Sequence, residues 1–377
     1  MTKLGDICTI VSGSTPKSNI PEYWDGDIKW ITPAELDQGT YIINDSVRHI
    51  TELGVAKTGL KPFPQGTVIL SSRAPIGKTA IAGCEMYCNQ GFKNLICSDK
   101  INPRYLYWFL TCNTEYLNSL GRGATFKEIS KEIVANIEIP LPSIEHQIAV
   151  VEKFEKVSKL IALRKEQLAK LDQLVKSRFV GLMDSAELSE ETTIEQITER
   201  VKVGFVGTCE KYYTDDSGIP MLRTGNITDH GIDMSDLKYV TAEFHEKNKK
   251  SQIRSGDLLI ARHGSNGQAN VYDGPEAQCL NAVVIVPNSA IAKSVFLAGL
   301  INSPNVKEQI DRTLVGSTQH VVNTKSIANL VVRIPQLIVQ EQYEAFIEQT
   351  DKSKLAIQQS LDKLELLKKS LMQEYFG

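Results

Sequence analysis

The sequence has 377 residues, which is enough for two or more domains that each bury a core. Its hydrophobic fraction of 42% and charged fraction of 23% are typical of a globular protein, and no low-complexity tract predicts long disorder. The formal net charge of −3 argues against a protein that coats nucleic acid without sequence preference, although it is compatible with local basic surfaces.

The beginning of the sequence, MTKLGDICTIVSGSTPKSN, contains no apolar segment of signal-peptide length. No run in the chain approaches the roughly 18–20 apolar residues needed to span a bilayer, so we predict a cytoplasmic protein. The seven cysteines are scattered and include no C-x-x-C pair that could begin a zinc site. They are predicted to be reduced thiols, most of them buried.

The first half of the chain predicts a mixed α and β module. It begins with a strand-like opener at residues 4–16 and an apolar segment at 30–36 that runs into a turn. A strand–loop–strand segment at 61–83 and a helix at 102–110 follow. The loop of the third segment carries Arg73, and the helix has Asn102 as its cap and Pro103 at its first position. The second half repeats this order at residues 194–207, 220–227, 253–274 and 294–303.

The clearest repeat follows these elements, because residues 121–147 and 315–342 are similar in sequence. Gly123, Thr125, Ala135 and Asn136 each have an identical residue 193 positions later, at Gly316, Thr318, Ala328 and Asn329. After an apparent two-residue slip, Pro140 and Gln147 align with Pro335 and Gln342. The chain is therefore predicted to be an internal duplication.

Both halves end in an amphipathic segment with heptad spacing. The apolar positions are Phe154, Val157, Ile161, Leu168, Leu171 and Val175, interrupted by Arg164, and then Ile357, Leu361, Leu364, Leu371 and Tyr375, interrupted by Lys368. Each helix could pack on its own module, but the duplication favours two helices of roughly 50 Å that pack antiparallel about a pseudo-twofold axis. Such a rod would hold two similar modules at a fixed separation.

The sequence contains no convincing catalytic or cofactor motif. SSRAPIGKTAI supplies Gly77, Lys78 and Thr79 but lacks the upstream glycine of a phosphate loop, and no G-x-G-x-x-G motif follows a strand. NPRY at residues 102–105 lacks the second proline of the Asn-Pro-Pro-aromatic signature of DNA methyltransferases. The six histidines show no helical spacing beside glutamate that would indicate a metalloenzyme.

The duplicated layout, the passage GATFKEIS…IPLPSIEHQ with its heptad helix, and the SGSTP and SSRAPIGKTAI segments resemble the specificity subunit of type I restriction-modification systems. The resemblance covers essentially the whole chain. It implies an α+β fold with two pseudo-twofold-related target-recognition domains joined by two long helices in an antiparallel coiled coil. The domains would be residues 1–144 and 185–339, with the central helix at 145–184 and the C-terminal helix at 340–377.

The resemblance also implies a non-catalytic role in a larger complex. Each recognition domain would read one half of a bipartite double-stranded DNA target, while the helices set the spacer and dock two methyltransferase subunits. Restriction and translocase subunits would join through that core. No cofactor is expected in this chain, since S-adenosylmethionine, ATP and Mg²⁺ would be held by the partner subunits.

The two halves differ enough to predict different half-sites. IPQLIVQEQ replaces IPLPSIEHQ, and the opener of the second half lacks an SGSTP equivalent. Unlike modules related by a twofold axis read unlike half-sites, so the target is predicted to be asymmetric.

Polar loops are the expected place for DNA contacts, because Arg and Lys can bond to guanine, Asn and Gln to adenine, and Lys, Ser and Thr to phosphates. In the first module we predict contacts from Ser14, Thr15, Lys17, Arg73, Lys78, Arg122, Thr125 and Lys127. In the second module we predict contacts from Arg223, Asn226, Arg262, His263, Asn266, Gln268, Gln319 and His320. The lysines of the first helix are expected to face partner subunits, although a charge run is often only a solvated face.

Three alternatives stay open from the sequence alone. The chain could be the specificity subunit of another multisubunit restriction-methylation enzyme. It could instead be a duplicated protein-binding scaffold, which salt-sensitive binding to specific duplex DNA would exclude. A standalone methyltransferase would need a cofactor motif that the sequence does not show.

Overall fold

The computed structural model describes residues 1–37, 39–73, 75–123, 127–228, 231–262, 267–314 and 321–377. These residues form two compact units, which are Met1–Lys165 with Gln359–Gly377 (unit 1) and Glu166–Gln358 (unit 2). Each unit therefore combines one globular module with part of both long helices.

The described residues of unit 1 form ten strands and five short helices before the long helix. The strands are β1 (Thr2–Lys3), β2 (Cys8–Ser12), β3 (Trp24–Ile31), β4 (Ile42–Ile43), β5 (Arg48–Ile50), β6 (Val68–Leu70), β7 (Thr79–Ala82), β8 (Tyr87–Cys88), β9 (Lys93–Cys97) and β10 (Glu138–Ile139). The helices are α1 (Leu4–Ile7), α2 (Glu52–Thr58), α3 (Pro103–Cys112), α4 (Thr114–Ser119), α5 (Lys131–Ala135) and the long α6 (Ile144–Ser185), with 3-10 turns at Pro21–Tyr23 and Pro33–Glu35.

The strands of unit 1 form two sheets and a separate pair. The larger sheet has the order β2-β9-β6-β7-β4, the smaller has the order β5-β3-β8, and β1 pairs with β10. In the larger sheet only β4 runs parallel to its neighbour β7. Helix α3 packs on this sheet and begins as the sequence predicts, because the Asn102 side chain accepts a hydrogen bond from Arg104 N and Pro103 occupies the first turn.

Unit 2 repeats this plan with its own strands and helices. The strands are β11 (Thr192–Thr193), β12 (Thr198–Val203), β13 (Tyr213–Thr214), β14 (Ile219–Leu222), β15 (Ile227–Thr228), β16 (Gly231–Ile232), β17 (Lys238–Val240), β18 (Gln252–Ile253), β19 (Leu258–Ala261), β20 (Ala269–Val271), β21 (Ala277–Cys279), β22 (Ala282–Pro287) and β23 (Val331–Val332). The helices are α7 (Ala242–Lys247), α8 (Ser294–Ile301), α9 (Pro304–Leu314), α10 (Thr324–Ala328) and the long α11 (Leu337–Phe376), with 3-10 turns at Glu210–Tyr212, Thr224–Asn226 and Lys249–Ser251.

The sheets of unit 2 match those of unit 1 at their centres and differ at their edges. The order β12-β22-β19-β20 corresponds to β2-β9-β6-β7, and β17-β14-β21 corresponds to β5-β3-β8. The parallel pair of the smaller sheet is also repeated, since β3 lies beside β8 as β14 lies beside β21. The prediction of two similar mixed α and β modules is confirmed.

Helices α6 and α11 pack on each other within each unit, and they run antiparallel. In unit 1, Lys153 Nζ lies 2.6 Å from Tyr375 Oη, and Lys165 Nζ lies 3.2 Å from a Glu365 carboxylate oxygen. In unit 2, Lys354 contacts Asp172 at 2.6 Å, and the Phe179 and Tyr343 rings lie 5.3 Å apart. The predicted heptad residues face this seam: Phe154, Val157 and Leu361 are buried, while Ile161, Leu168, Leu171, Val175, Ile357, Leu364, Leu371 and Tyr375 are half-buried. The coiled-coil prediction is confirmed.

The two predicted interruptions of the heptads are accommodated by polar or aromatic contacts in unit 1. Arg164 Nε donates to Ser360 Oγ at 3.2 Å across the seam. The Lys368 ammonium lies 5.1 Å from the centre of the Trp108 ring, which is a cation–π distance. Burial lowers the pKa of the Lys368 ammonium from its usual value.

A buried glutamine corrects the sequence alignment at the start of each long helix. Gln147 accepts from Asn102 N at 2.8 Å and donates to the carbonyls of Lys100 and Pro142 at 3.1 and 2.9 Å. Gln340 makes the same three bonds, accepting from Lys293 N at 2.9 Å and donating to Ile291 O and Pro335 O at 3.1 and 3.0 Å. Both glutamines are fully buried.

These bonds make Pro142 and Gln147 the equivalents of Pro335 and Gln340, again 193 positions apart. The strand register agrees, because Ile139 pairs with Thr2 as Val332 pairs with Thr192. The predicted two-residue slip, with Pro140 opposite Pro335 and Gln147 opposite Gln342, is therefore wrong. That alignment matched the Ile-Pro pair in each half. The equivalent prolines are instead the ones whose carbonyls accept from the glutamines, Pro142 and Pro335.

Candidate DNA interface

The predicted SGSTP segment lies against the end of β8 because Gly13 allows close backbone contact. A Cβ atom at Gly13 would lie 2.2 Å from Cys88 O, and the next residue, Ser14, donates its N–H to the same carbonyl at 3.0 Å. The side chain of Thr15 then hydrogen-bonds to Gln90. Gln90 is exposed beside two predicted contact residues. It is not among the contacts predicted from the sequence, because Asn and Gln at a strand start often only satisfy backbone groups.

The loop after β6 joins the same edge. Ser72 N donates to Gly91 O at 2.7 Å, directly after Gln90, and Ser72 O accepts from Ile129 N at 2.9 Å. The next residue, Arg73, donates its Nε–H to a Glu128 carboxylate oxygen at 2.9 Å. Arg73 is thus positioned beside the segment that carries Arg122 and Lys127.

Arg122 and Glu128 form the base of the GRGATFK loop. They exchange two backbone hydrogen bonds of 3.0 Å each, which fixes Arg122 and Lys127 on either side of the Glu128 backbone. Arg122 and Lys127 are both exposed, and Thr125 lies outside the described residues. The structure therefore brings Ser14, Thr15, Arg73, Arg122 and Lys127 to neighbouring loops, although they are up to 113 positions apart in the sequence.

Two further predicted contacts have partly structural roles. Lys78 is half-buried, and its Nζ donates to Pro33 O at 3.2 Å, at the 3-10 turn that follows β3. Lys17 is exposed, and its carbonyl accepts from the Trp24 indole N–H at 3.2 Å. Lys17 keeps its charge available, whereas the Lys78 charge is engaged with a backbone carbonyl.

A buried lysine beneath the loops was missed by sequence reasoning. Lys93, at the first position of β9, is only 6% exposed, and its Nζ donates to Glu128 Oε1 at 3.1 Å and to Ser72 Oγ at 3.2 Å. Burial by itself raises the pKa of the Glu128 carboxyl, but hydrogen bonds and charges from Lys93 and Arg73 lower it more, so the net pKa is below its usual value. The sequence carries only a weak signal, because Lys93 is the first residue of the strand KNLIC and is followed by the polar Asn94.

Unit 2 builds the opening of the corresponding edge in the same way. A Cβ atom at Gly204 would lie 2.4 Å from Cys279 O, and Phe205 N donates to that carbonyl at 2.7 Å. Gly204 is therefore the counterpart of Gly13, and the expectation that the second opener lacks an SGSTP equivalent is wrong for its backbone. The side chain that follows differs, because Phe205 takes the position of Ser14.

The arginine loop of unit 2 is organised by Asn281. Arg262 O accepts from Val322 N at 3.1 Å, as Ser72 O does from Ile129 N. The Arg262 guanidinium donates through Nη1 to Asn281 Oδ1 at 3.0 Å and through Nε to Val322 O at 3.3 Å. Asn281 has a left-handed φ of 53°, a conformation that asparagine tolerates better than most residues. Sequence analysis did not select Asn281.

Two predicted residues of unit 2 lie in the turn after β14. Arg223 is half-buried, and its Nη2 lies 2.8 Å from an Asp236 carboxylate oxygen. Asn226 is only 3% exposed, accepts from Arg223 N at 2.9 Å, and donates to the carbonyls of Asp233 and Asp236 at 3.1 and 3.0 Å. The Asn226 amide is therefore buried and bonded internally, which argues against the predicted DNA contact.

Of the remaining predicted residues of unit 2, Gln268 alone lies in the described part of the chain. Gln268 is half-buried immediately before β20. His263, Asn266, Gln319 and His320 lie outside the described residues. Within the described ranges, no three His, Cys, Asp or Glu side chains are grouped to hold a metal ion. Within the same ranges, no helix has the length and apolar content to cross a bilayer.

Comparison with known proteins places both halves of the chain in one family. A family model described as the type I restriction modification DNA specificity domain matches residues 1–173 and again residues 192–367. The MjaIX type I restriction enzyme specificity subunit of Methanocaldococcus jannaschii is 28% identical over 370 residues, covering 92% of this chain and 85% of the relative. The EcoBI type I restriction enzyme specificity subunit of Escherichia coli is 21% identical over 355 residues, covering 83% and 75% respectively.

Solved structures support the fold. The S subunit of a type I restriction-modification system from M. genitalium aligns with a TM-score of 0.60 at 14% identity, covering 100% of this chain and 95% of the other. A chain from work on complex assembly and conformational transition of the type I R-M system aligns with a TM-score of 0.64 at 18% identity, covering 100% and 96%. The two segments matched by the family model coincide with the two halves of the duplication.

Proposed function

The chain belongs to the family of type I restriction modification DNA specificity domains, and we propose that its two modules read the two halves of a split DNA target. It is a non-catalytic specificity subunit, which is the role named for its relatives. The proposed recognition modules are residues 1–144 and 185–339, and the proposed spacer helices are residues 145–184 and 340–377.

The observation that carries this proposal is the same loop edge, built twice with different side chains. Gly13 and Gly204 hold equivalent openers, and Ser72 and Arg262 begin equivalent loops beside them. An equivalent backbone position lets both modules approach a duplex in the same way. Different side chains on it would read different bases, which supports an asymmetric target.

Arg73 is the proposed principal reader of unit 1. Glu128 occupies its Nε, which leaves the two terminal nitrogens of the guanidinium outside this ion pair. Those nitrogens are the ones that make paired hydrogen bonds with guanine O6 and N7. Arg122, Lys127 and Lys17 are proposed to hold phosphates, and Ser14 and Thr15 to contact the backbone or a base edge.

In unit 2 we assign the corresponding contacts to Arg223, Arg262 and Gln268. The Arg223 and Arg262 guanidinium groups each bond to a neighbour, to Asp236 and to Asn281, in arrangements that orient them. His263, Asn266, Gln319 and His320 remain in the proposed contact set.

The long helices are the proposed docking surface for two methyltransferase subunits, with restriction and translocase subunits joining through that core. Lys156, Lys159 and Lys176 are exposed on α6, whereas Lys153, Lys165 and Lys170 contact neighbouring helix residues. Exposed leucines on the unit 1 helices, namely Leu160, Leu163, Leu366 and Leu367, add apolar surface for such contacts. S-adenosylmethionine, ATP and Mg²⁺ would be bound by the partner subunits.

The first test is genome-wide mapping of methylated adenines in host cells with and without this gene, with the methyltransferase subunits expressed. A split motif should lose methylation when the gene is deleted. Replacing residues 1–144 with another recognition module should then change one half-site and leave the other. If no motif changes while the complex still assembles, the proposal is wrong.

Arg73 offers a sharper test because the chain contains a matched control. Arg73 and Arg104 are side chains of similar exposure, 46% and 54%, and each is paired with a glutamate, Glu128 and Glu155. Arg73→Ala should weaken binding to the cognate duplex by about 1–3 kcal/mol and relax discrimination at one base pair. Arg104→Ala should leave both unchanged. Equal effects of the two variants would remove Arg73 from the reading set.

A further inference from the structure

Lys93 is a buried cation in a place where the fold does not require one. It lies opposite Ser12 at the junction of β9 and β2, and the equivalent residue of unit 2, opposite Val203 on β12, is Val283. Burying an ammonium group costs free energy unless it is paired, and an apolar residue often replaces a buried ion pair without loss of stability. Unit 2 shows that valine fits this position of the sheet.

The partners of Lys93 are those that hold the proposed DNA-reading loops. Its Nζ bonds to Ser72 Oγ, on the residue before Arg73, and to Glu128, whose other carboxylate oxygen accepts from Arg73. The Glu128 backbone pairs with Arg122 on the adjacent loop. A single carboxylate therefore connects the buried cation, the proposed reader and the base of the second loop.

The charges of this cluster explain why two cations share one carboxylate. A Glu128 paired with Arg73 alone would neutralise the guanidinium and place a negative charge near the DNA backbone. The buried Lys93 balances the negative charge of Glu128. The carboxylate can then orient Arg73 while the three side chains together keep a net positive charge. Burial beneath the loops keeps Lys93 itself away from the ligand.

We propose that Lys93 and Glu128 are positioning residues that set the orientation of Arg73 and thereby the base preference at the first half-site. This inference rests on the proposed function, since it assumes that unit 1 reads DNA. Neither residue contacts the DNA; both act through Arg73. In unit 2, Arg262 takes the position of Ser72 and bonds to the neutral acceptors Asn281 Oδ1 and Val322 O, and Val283 takes the position of Lys93. The buried cation behind the carboxylate therefore belongs to unit 1.

The test uses the full chain in complex with its methyltransferase subunits, and duplexes that carry the mapped target or single base-pair changes in either half-site. Glu128→Gln should raise affinity for duplexes of unrelated sequence, because a negative charge is removed, while discrimination at the first half-site falls about fivefold or more. Lys93→Met should lower affinity for the cognate duplex, because Glu128 then neutralises Arg73. A gain in affinity for unrelated duplexes from Glu128→Gln, together with a loss of affinity for the cognate duplex from Lys93→Met, is not expected from a merely structural role.

The double variant Lys93→Met/Glu128→Gln separates stability from specificity. Removing both charges should restore a thermal midpoint near that of the wild type, while discrimination at the first half-site stays low. Glu155→Gln is the matched control, since Glu155 also accepts from an arginine in unit 1 and lies outside the loops. Discrimination at the second half-site is the internal control and should not change.

Two outcomes would overturn the inference. In the first, Glu128→Gln, which removes the charge and replaces one of the two accepting oxygens with an NH2 group, keeps wild-type discrimination at every position of the first half-site. In the second, Glu128→Gln weakens discrimination at both half-sites equally, which indicates a general structural effect. A wild-type complex without any sequence preference would instead disprove the proposed function, and the two failures are therefore distinguishable.

Discussion

In unit 1 the loop after β6 is fixed by charge, because Arg73 and the buried Lys93 share the Glu128 carboxylate. In unit 2 the corresponding loop is fixed by neutral acceptors, because the Arg262 guanidinium bonds to Asn281 Oδ1 and to a backbone carbonyl. The backbone bonds that place the two loops are the same. A duplicated chain can thus keep the backbone position of a loop while its arginine moves by one residue, since Arg262 takes the position of Ser72, and bonds to different partners.

The opposite holds where each long helix begins. Gln147 and Gln340 are the same residue in the same pocket with the same three hydrogen bonds. These bonds tie the helix start to the segment before α3 or α8, so any change would disturb both elements. The comparison predicts large and equal effects at the glutamines, and smaller, unequal effects at the loops.

The largest effects are expected from Gln147→Ala and Gln340→Ala. Each substitution leaves one N–H and two carbonyl groups of a buried site without the amide, which should lower the free energy of unfolding of its own unit by about 2–4 kcal/mol. Hydrogen exchange of the α3 and α8 amides measures the two units separately. Gln173→Ala, at an exposed position of α6, is the control and should have little effect. If one substitution lowers the free energy of unfolding by less than half as much as the other, the two sites are not equivalent.

The next largest effect is expected at Asn281. Asn281→Ala removes the acceptor of Arg262 and places alanine at a φ of 53°, so it should destabilise unit 2 by about 1–3 kcal/mol. Asn281→Gly removes the same acceptor but tolerates this φ, so it should cost less. Chemical denaturation followed by hydrogen exchange measures both. A glycine variant as unstable as the alanine variant would show that the backbone conformation contributes nothing.

A smaller, pH-dependent effect is expected at Glu128. The net pKa of Glu128 is lowered in the folded state, so its stabilising contribution is present above its unfolded pKa of about 4.3 and is lost as the pH falls through the lower folded pKa. The carboxylate is partly exposed, so solvent screening limits this to about 1 kcal/mol or less.

The measurement is the stability difference between wild type and Glu128→Gln from pH 7 down to pH 3. The difference in unit 1 should shrink at the acidic end. The difference in unit 2 should stay near zero throughout, because Glu128 and its partners Arg73 and Lys93 all lie in unit 1. A difference that is independent of pH would mean that the Glu128 charge does not stabilise unit 1.

The smallest effects are expected at the ion pairs between the long helices. Lys354 is 29% exposed and contacts Asp172 in unit 2, whereas Lys165 is 60% exposed and contacts Glu365 in unit 1. Lys354→Met should change stability by about 0.5 kcal/mol, and Lys165→Met should have no measurable effect. Thermal unfolding at low and high salt measures both. A larger loss for Lys165→Met would reverse the order that burial predicts.

The sequence by itself determined the features that depend on local pattern. The duplication, the heptad seam, the Asn102 cap and the strand–loop–strand segments were all predictable, because each depends on residues close in sequence or on a fixed period. The loop positions of Ser14, Arg73 and Arg262 followed from the same patterns. The alignment of Pro140 with Pro335 failed because it depended on identical letters, whereas the hydrogen bonds of Gln147 and Gln340 pair Pro142 with Pro335.

Only the tertiary structure decided which side chains meet. Glu128 lies 35 positions from Lys93 and 55 from Arg73, and nothing local indicates that β9 passes beneath both loops. Asn226 carries an amide of the kind that can bond to adenine, but the turn around it buries that amide. Polar side chains have the same appearance in a sequence whether they face solvent or the interior, and strand pairing over long separations decides between the two.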